Sequence, residues 1–384
     1  MAYSSYYKYH KYVTYQQQDP LPYIPITYSV DGEGTLPLRL KDECDVNCGC
    51  TGDTHDYSED YLTFKAKTDG TFKFSGNSIN YSIDNGQTWV SLASNTNTPT
   101  VSAGSKIMWK ASGLNSSDLW SGAGIGRFSS TGQFEVEGNI MSLVSGDSFT
   151  EATTVANYQF YRLFKNCIWM KSAENLCLPA TALAYECYMF MFSDCVNLTT
   201  APSVLPATTL TTDCYNSMFS GCTSLTTAPV LPATTLAAGC YAKMFNNCTR
   251  LTTAPDLPAT TLAGRCYSDM FEDCTRLTTA PSVLPATTMK YRCYDSMFSN
   301  CRSLTTAPTL PAATLEEQCY MGMFQGCTSL NYIKCMATNI SADNCTFAWV
   351  GNVASTGTFV KNVSMTSWTT GTDGIPNGWT VVNA

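Results

Sequence analysis

With 384 residues the chain is long enough for two or three domains, and its net charge of −8 with an isoelectric point near 4.8 excludes an electrostatic footprint for nucleic acid or an acidic membrane surface. Charged residues are only 14% of the chain, so Thr, Ser, Ala and Asn must carry the surface, as suits a neutral extracellular exterior. No stretch approaches the ~20 apolar residues needed to span a bilayer, so membrane insertion is not expected.

Residues 1–57 read as an N-terminal arm. Its first 18 residues hold Tyr3, Tyr6, Tyr7, Tyr9, Tyr12 and Tyr15 and lack the apolar centre of a secretion signal. Such a segment orders against a partner surface, so these tyrosines are expected to anchor the chain to a larger assembly. Cys44, Cys48 and Cys50, with His55 close by, are the candidate metal ligands. Their spacing matches no common zinc pattern, and no cofactor is expected.

Residues 58–150 read as a small β-sandwich-like domain. Residues 61–67 and 71–74 alternate in polarity on either side of an Asp69-Gly70 turn, which predicts a hairpin. Residues 79–92 predict a second hairpin turning at Asn85-Gly86, and residues 106–110 and 133–137 add strands. The run Ser82-x-Asp84-x-Gly86-x-Thr88-Trp89 is similar to the Asp-box hairpin of sialidase propellers, in which Asp and Trp shape a turn and do no catalysis. Gly122-x-Gly124-x-Gly126 lies in a serine-rich loop without phosphate-binding spacing.

Residues 151–335 repeat one pattern: C-Y-x-x-M-F-x-x-C, then L-T-T-A-P, then L-P-A-T-T-L. The leading cysteines are Cys187, Cys214, Cys240, Cys266, Cys293 and Cys319, separated by 27, 26, 26, 27 and 26 residues. The two longer steps carry their extra residue in Ala-Pro-Ser-Val-Leu-Pro, so the register holds elsewhere. A period of this size predicts a solenoid of stacked units, none able to bury its apolar face alone. Cys, Met, Phe and the second Cys at offsets 0, 4, 5 and 8 predict one face of a short two-turn helix. The next Leu, such as Leu225, begins a short strand that Pro229 and Pro232 end. Strands stacked at ~4.8 Å give a parallel sheet roughly 30 Å long. A degenerate first unit carries Phe160, Phe164 and Cys167, and the aromatic-rich residues 336–384 predict a C-terminal cap.

The cysteines are read as buried, reduced thiols. Partners eight apart on a helix stand ~12 Å apart, at ~1.5 Å per residue. A disulfide needs Cα atoms within roughly 7 Å, and neighbouring helices sit about 8–10 Å apart. The paired threonines 199–200, 226–227, 252–253, 278–279 and 305–306 read as a polar ladder on a solvated face, not as an ice-binding array.

The units Met-Phe-x-x-Cys-x-x-Leu-Thr-Thr-Ala-Pro resemble BspA-like, Treponema-type leucine-rich repeats, whose usual pattern is A-F-x-x-C-x-x-L followed by a short strand ending in proline. Here Met replaces Ala, a Cys-Tyr pair is added upstream, and the strand is Thr/Ala-rich. Residues 138–141 and 374–379 also look like modules that accompany such repeats in gut Bacteroidetes and their phages. The resemblance implies an α+β fold: a β-sandwich-like domain, then a leucine-rich-repeat solenoid with a short helix and strand per unit, then a cap. It implies surface interaction or adhesion and carries over no catalytic residues.

Recognition is expected where the units differ. Arg265 and Arg292 precede a leading cysteine, Arg250, Arg276 and Arg302 follow a second one, and Glu272 and Asp273 sit inside one unit. Together they are the candidate ligand-binding patch, for an anionic glycan or a protein. Catalysis finds little support: His10 and His55 are the only histidines, and both lie in the arm. The expected function is a non-enzymatic bacteriophage virion protein, a tail- or head-fibre or receptor-binding component located in the particle. The arm would dock to other virion structural proteins and the repeats would face a host-surface glycan or protein. A bacterial surface adhesin and a decoration protein binding neighbouring virion chains are the alternatives. A homo-oligomer is compatible with this, although no heptad region enforces one.

Overall fold

Alternating residues in the N-terminal part do form strands, but their pairing differs from the expected hairpins. The computed structural model describes residues 55–114 and 127–384; the arm tyrosines, His10, Cys44, Cys48, Cys50 and the glycine-rich loop at 122–126 lie outside the described residues. Strand β1 (Leu62–Ala66) lies antiparallel between β5 (Lys106–Lys110) and β7 (Phe134–Asn139), with Phe64 opposite Ile107 on one side and Val136 on the other. Strand β2 (Phe72–Phe74) pairs with β6 (Phe128–Ser130) in a separate two-stranded sheet. The Asp69-Gly70 turn therefore does not close a β1–β2 hairpin; it carries the chain into a second layer. The layers enclose an aromatic core in which the Phe64 ring lies 5.4 Å from Phe72 and from Trp109, and 4.9 Å from Phe128 and from Phe134. Contacts across two layers bury these rings, which a lone hairpin leaves half-exposed.

The second hairpin forms as expected. Strands β3 (Ile79–Ser82) and β4 (Val90–Leu92) pair with Ile79 opposite Leu92. Asn85 and Gly86, at φ 57° and 83°, supply the two left-handed residues of its turn. Asp84 accepts from the Thr88 amide at 2.9 Å and from the Thr88 hydroxyl at 2.6 Å, and these bonds hold its carboxyl down to about 2. That is the turn-shaping role expected of this Asp.

The larger sheet runs β4-β3-β5-β1-β7-β8, where β8 (Met170–Cys177) already belongs to the degenerate first unit. β7 and β8 are parallel, so strand pairing crosses residue 150 without interruption.

The expected helix in each unit is not formed. Among the described residues one α-helix occurs, four residues long at Ser142–Ser145. Each Cys-Tyr-x-x-Met-Phe-x-x-Cys segment is instead a chain of overlapping four-residue turns. Alternate amides close turns within the unit: Asn216 donates to the Asp213 carbonyl, Met218 to Tyr215, Ser220 to Ser217 and Cys222 to Phe219. The amides between them donate to the next unit: Tyr215 to the Cys240 carbonyl, Ser217 to Ala242, Phe219 to Met244 and Gly221 to Asn246. An α-helix keeps its interior amide bonds to itself. Here half of them become bonds between units, which requires a left-handed residue at every fourth position. Asp213, Ser217 and Gly221 have φ of 53°, 55° and 77°, and the other units follow suit.

This geometry repeats every four residues, so side chains at offsets 0, 1, 4, 5 and 8 stay on the inner side. In the Cys214 unit they are Cys214, Tyr215, Met218, Phe219 and Cys222, all fully buried. Successive units place these groups over one another. The phenylalanine ladder starts in the β-sandwich at Phe128, 5.6 Å from Phe164, and runs through Phe192, Phe219, Phe245, Phe271 and Phe298 to Phe324. A second ladder runs from Phe160 through six tyrosines to Trp349.

The cysteines close the remaining polar account. The Phe219 carbonyl accepts the Cys222 amide at 3.0 Å and the Cys248 thiol, one unit on, at 3.2 Å. The same thiol-to-phenylalanine-carbonyl bond recurs from Cys195 to Cys327. The first and second cysteines of the units are free, buried thiols. Burial pushes Cys167, Cys274 and Cys327 up to about 12.

The strand expected after each second cysteine is reduced to a single parallel bridge, such as Thr200 to Thr227 or Thr253 to Thr279. The nearby prolines remove the donors a longer ladder needs. A second line of bridges joins Thr235 to Thr261 and Thr288 to Thr314. Continuous strands occur at the two ends: β8, and the parallel set β9 (Tyr332–Cys335), β10 (Thr358–Lys361) and β11 (Thr380–Asn383). The expected cap begins with one more turn chain: Tyr320 donates to the Cys345 carbonyl and Phe324 to Trp349. Trp349, Phe359 and Trp368 then cover the ladder ends.

Two outcomes follow from this packing. Phe245→Ala opens a cavity in the middle of the ladder and lowers unfolding free energy by about 3–5 kcal/mol, as read by chemical denaturation. Alkylation of native protein near pH 8 leaves Cys167 to Cys345 unmodified, and denaturant exposes them all, as read by peptide mass mapping.

Candidate functional site

Offsets −2, −1, +2 and +3 of the turn chain lie off the inner ladders, some exposed and others, such as Ser217, Ser268 and Asp295, buried, and these are positions that vary between units. In the Cys240 unit three of the four are small, Ala238, Gly239 and Ala242, with Lys243 the fourth, and Gly264 follows ahead of the Cys266 unit. The neighbouring units carry larger polar groups there, so a groove opens between them. Its volume is about 460 Å³, and it is lined by Thr212, Asp213, Asn216, Lys243, Arg265, Ser268, Asp269 and Arg292 over that small-residue floor. The size falls in the range of ligand clefts.

Gly239 is needed for this shape. At φ 59° it occupies the left-handed position, and a Cβ there would stand 2.2 Å from Asp213 Oδ1. The Asp213 carboxylate therefore lies over the glycine at the groove edge, where Asn216 Nδ2 donates to it at 2.8 Å. On the opposite wall the Arg265 guanidinium lies 5.7 Å from the Tyr291 ring centroid and forms no ion pair among the described residues. Lys243 Nζ stands 3.9 Å from Asp269.

Arg292 has a different task. Its Nε and Nη2 donate to Asp295 Oδ2 at 2.7 and 2.6 Å, and Asp295 is 2% exposed. Burial pushes the Asp295 carboxyl up, against the pull of Arg292. The guanidinium compensates a buried charge and offers only its remaining donors to the groove.

The structure thus divides the predicted patch. Arg265 and Arg292 meet at the groove. Arg250, Arg276 and Arg302 follow the second cysteines at the far end of the turn chains, are exposed, and are not among the groove residues. Glu272 is half-buried and accepts Asn246 Nδ2 at 3.0 Å. Burial, with Asp269 and Asp273 nearby, holds its carboxyl above the ordinary range. Asp273, at φ 60°, occupies a left-handed turn position that the other units give to Asn, Asp or Gly. Its identity answers a backbone demand.

Sequence reasoning missed Asn216, Lys243 and Asp269. The signal that could have found them is the residue at offset +7, which is Asn166, Asp194, Gly221, Asn247, Asp273, Asn300, Gly326 or Asn352. Only Asn, Asp or Gly at one phase marks a left-handed residue and so a chain of turns. That phase would have put offsets −1 and +3 outside. Among the described residues no group of His, Cys, Asp and Glu is arranged to hold a metal. No helix among them is long and apolar enough to cross a membrane.

The fold and groove define a sheet-rich repeat protein with an invariant stacked interior and a variable outward rim. No protein-family model matches the chain, and no curated protein does. Among solved structures, a leucine-rich repeat protein from Bacteroides ovatus ATCC 8483, determined at 1.19 Å, is similar over 64% of this chain and 83% of that chain, at 14% identity and a TM-score of 0.23.

The state of Glu272 is testable through pH. Its carboxyl is raised in the fold, so its contribution to stability is complete below the unfolded-state value and is lost as pH rises through the folded-state value. Glu272→Gln keeps an acceptor for Asn246 and removes the buried charge. It raises the melting temperature at pH 7, and the difference disappears below the ordinary value of 4.5.

Proposed function

We propose that this chain is a non-catalytic recognition protein that presents the outward side of its stacked turns to a surface glycan or protein, as a fibre or receptor-binding component of a bacteriophage particle. The observation that carries the recognition reading is the contrast between inside and outside. The Cys, Tyr, Met, Phe and Leu positions hardly change from unit to unit, while offsets −2, −1, +2 and +3 change in size and charge and line a groove. A scaffold that only had to stack would have no use for the small floor at Gly239 and Gly264 beside the open Arg265 and Asp213.

The finer fold reading, a BspA-like leucine-rich-repeat solenoid, is part of the same proposal. It rests on the Met-Phe-x-x-Cys-x-x-Leu-Thr-Thr-Ala-Pro units recurring in register. The virion setting rests on the sequence resemblance and on the tyrosine-rich arm.

Labelled full-length chain is expected to bind intact gut Bacteroidetes cells saturably and strain-specifically. Gly264→Tyr fills the groove without forcing the backbone, since a Cβ at Gly264 meets only the Tyr291 carbonyl at 3.5 Å. It lowers cell binding about tenfold or more, a loss of ~1.4 kcal/mol. Equal binding by the variant removes the groove from the account, and no binding to any strain moves the function to contacts with other particle proteins.

A further inference from the structure

The outward strip continues beyond the groove into a cluster of a different character. At the offsets where later units place Thr212, Asp213, Ser217, Ala242 or Ser268, the degenerate first unit and the Cys187 unit carry Tyr158, Tyr161, Arg162, Tyr185 and Phe190. Their rings form a contiguous group: Tyr158 lies 5.3 Å from Tyr185 and 6.0 Å from Tyr161, and Tyr161 lies 6.1 Å from Phe190. Arg162 stands 4.8 Å from the Tyr161 centroid and 5.3 Å from that of Phe190, and Lys165 stands 4.9 Å from Phe190. These cations brace the rings from within the protein. Tyr185 is 37% exposed.

The cluster is held against a local cost. Tyr158, Arg162 and Phe190 have φ of 58°, 57° and 56°. A non-glycine residue with a bulky ring is uncommon in that region, and the later units use Ser217, Lys243, Asp269, Ser296 or Gly322 at the Phe190 position, none of them aromatic. The cluster also adjoins the groove directly. The Phe190 amide donates to the Asn216 carbonyl at 3.0 Å and the Glu186 amide to Thr212 at 3.2 Å, and both acceptors belong to groove residues.

We infer that the aromatic cluster and the groove form one elongated site for an uncharged polysaccharide chain, with the aromatic end as a platform for pyranose rings. This rests on the groove being a recognition site. Three properties select the ligand class. The strip joins an exposed ring, Tyr185, and its half-buried neighbours Tyr158, Tyr161 and Phe190, which can accept the C–H faces of sugars, to a groove rich in hydroxyl, amide and carboxylate groups, which suit sugar hydroxyls. Each unit advances the strip by 5.6–5.8 Å, the spacing of the buried ring ladder, a step close to one hexopyranose residue. Most of its cations are engaged: Lys165 faces Asp194 at 3.8 Å, Lys243 faces Asp269 at 3.9 Å, Arg292 is committed to Asp295 at 2.6 Å and Arg162 lies over aromatic rings, which leaves Arg265 as the groove cation without an ion pair among the described residues. Among the described residues of the strip a single unpaired groove cation makes no row that would select a polyanion, and the chain as a whole carries −8.

The test is calorimetric titration of the full chain with maltohexaose, cellohexaose and mannohexaose, their disaccharides, and hexagalacturonate as the charged control. At least one neutral hexasaccharide binds about tenfold or more tighter than its disaccharide, as joined subsites require. Phe190→Ser and Tyr185→Ala each remove most of that gain while leaving the melting temperature unchanged or higher. Equal affinity for hexasaccharide and disaccharide, no effect of either variant, preference for hexagalacturonate, or no binding by any neutral chain overturns the inference. The groove reading is judged separately, by the effect of Gly264→Tyr on cell binding. If that variant abolishes cell binding while the sugars fail, the groove recognises a protein and the polysaccharide assignment alone falls.

Discussion

Everything in the repeat region depends on how each unit shares out its backbone amides. Alternate N–H groups close tight turns inside a unit, and those between them reach the carbonyls of the next unit. A buried amide without a partner is costly, so neither half of this pattern can be given up singly. A unit is incomplete until its neighbour is present, and the β-sandwich and the C-terminal parallel strands supply neighbours at the two ends. The parallel pairing of β7 with β8 and the stacking of Phe128 on Phe164 make the β-sandwich the first layer of the stack.

The shared amides set the side-chain period at four, and that period explains the composition of the core. Offsets 0, 4 and 8 face inward on one line and offsets 1 and 5 on another, so Cys, Met and Cys alternate with Tyr and Phe. The rings of equivalent residues come within stacking distance without filling the narrow interior twice over. Cysteine at the last position is both small and a donor, and it occupies the free lone pair of a phenylalanine carbonyl one unit back. A thiol used this way has no need of a redox role, which accords with its burial.

The same constraint organises the surface. Once the inner offsets are assigned, offsets −1 and +3 are left-handed and lie off the inner ladders. A unit with glycine or alanine there leaves space, and a unit with tyrosine, arginine or phenylalanine fills it at some conformational cost. Recognition can therefore be varied unit by unit without disturbing the stack. Arg292 shows the limit of that freedom, since its partner Asp295 is buried and its charge serves the fold.

Much was legible in the chain itself. The repeat period, the inward residues, the reduced and buried state of the array cysteines, the turn at Asn85-Gly86 and the terminal capping by tryptophan all follow from spacing and residue type. What the spacing alone left open was the conformation of the Cys-to-Cys segment, because offsets 0, 4, 5 and 8 satisfy a helix and a four-residue turn chain equally well. The choice falls to the amide bonds between units, a property of the stack that no single unit expresses. The pairing of β1 and β2 with distant strands was hidden for a similar reason: it is decided by which aromatic faces are buried across two layers. Arg265 and Arg292 were visible as variable charges, but the groove that joins them to Asp213 and Lys243 exists only when consecutive units lie over one another. The sequence by itself determined the period, the interior and the positions free to vary; the tertiary structure alone decided which of those positions meet, because contacts 26 residues apart in the chain become neighbours only through hydrogen bonds between units.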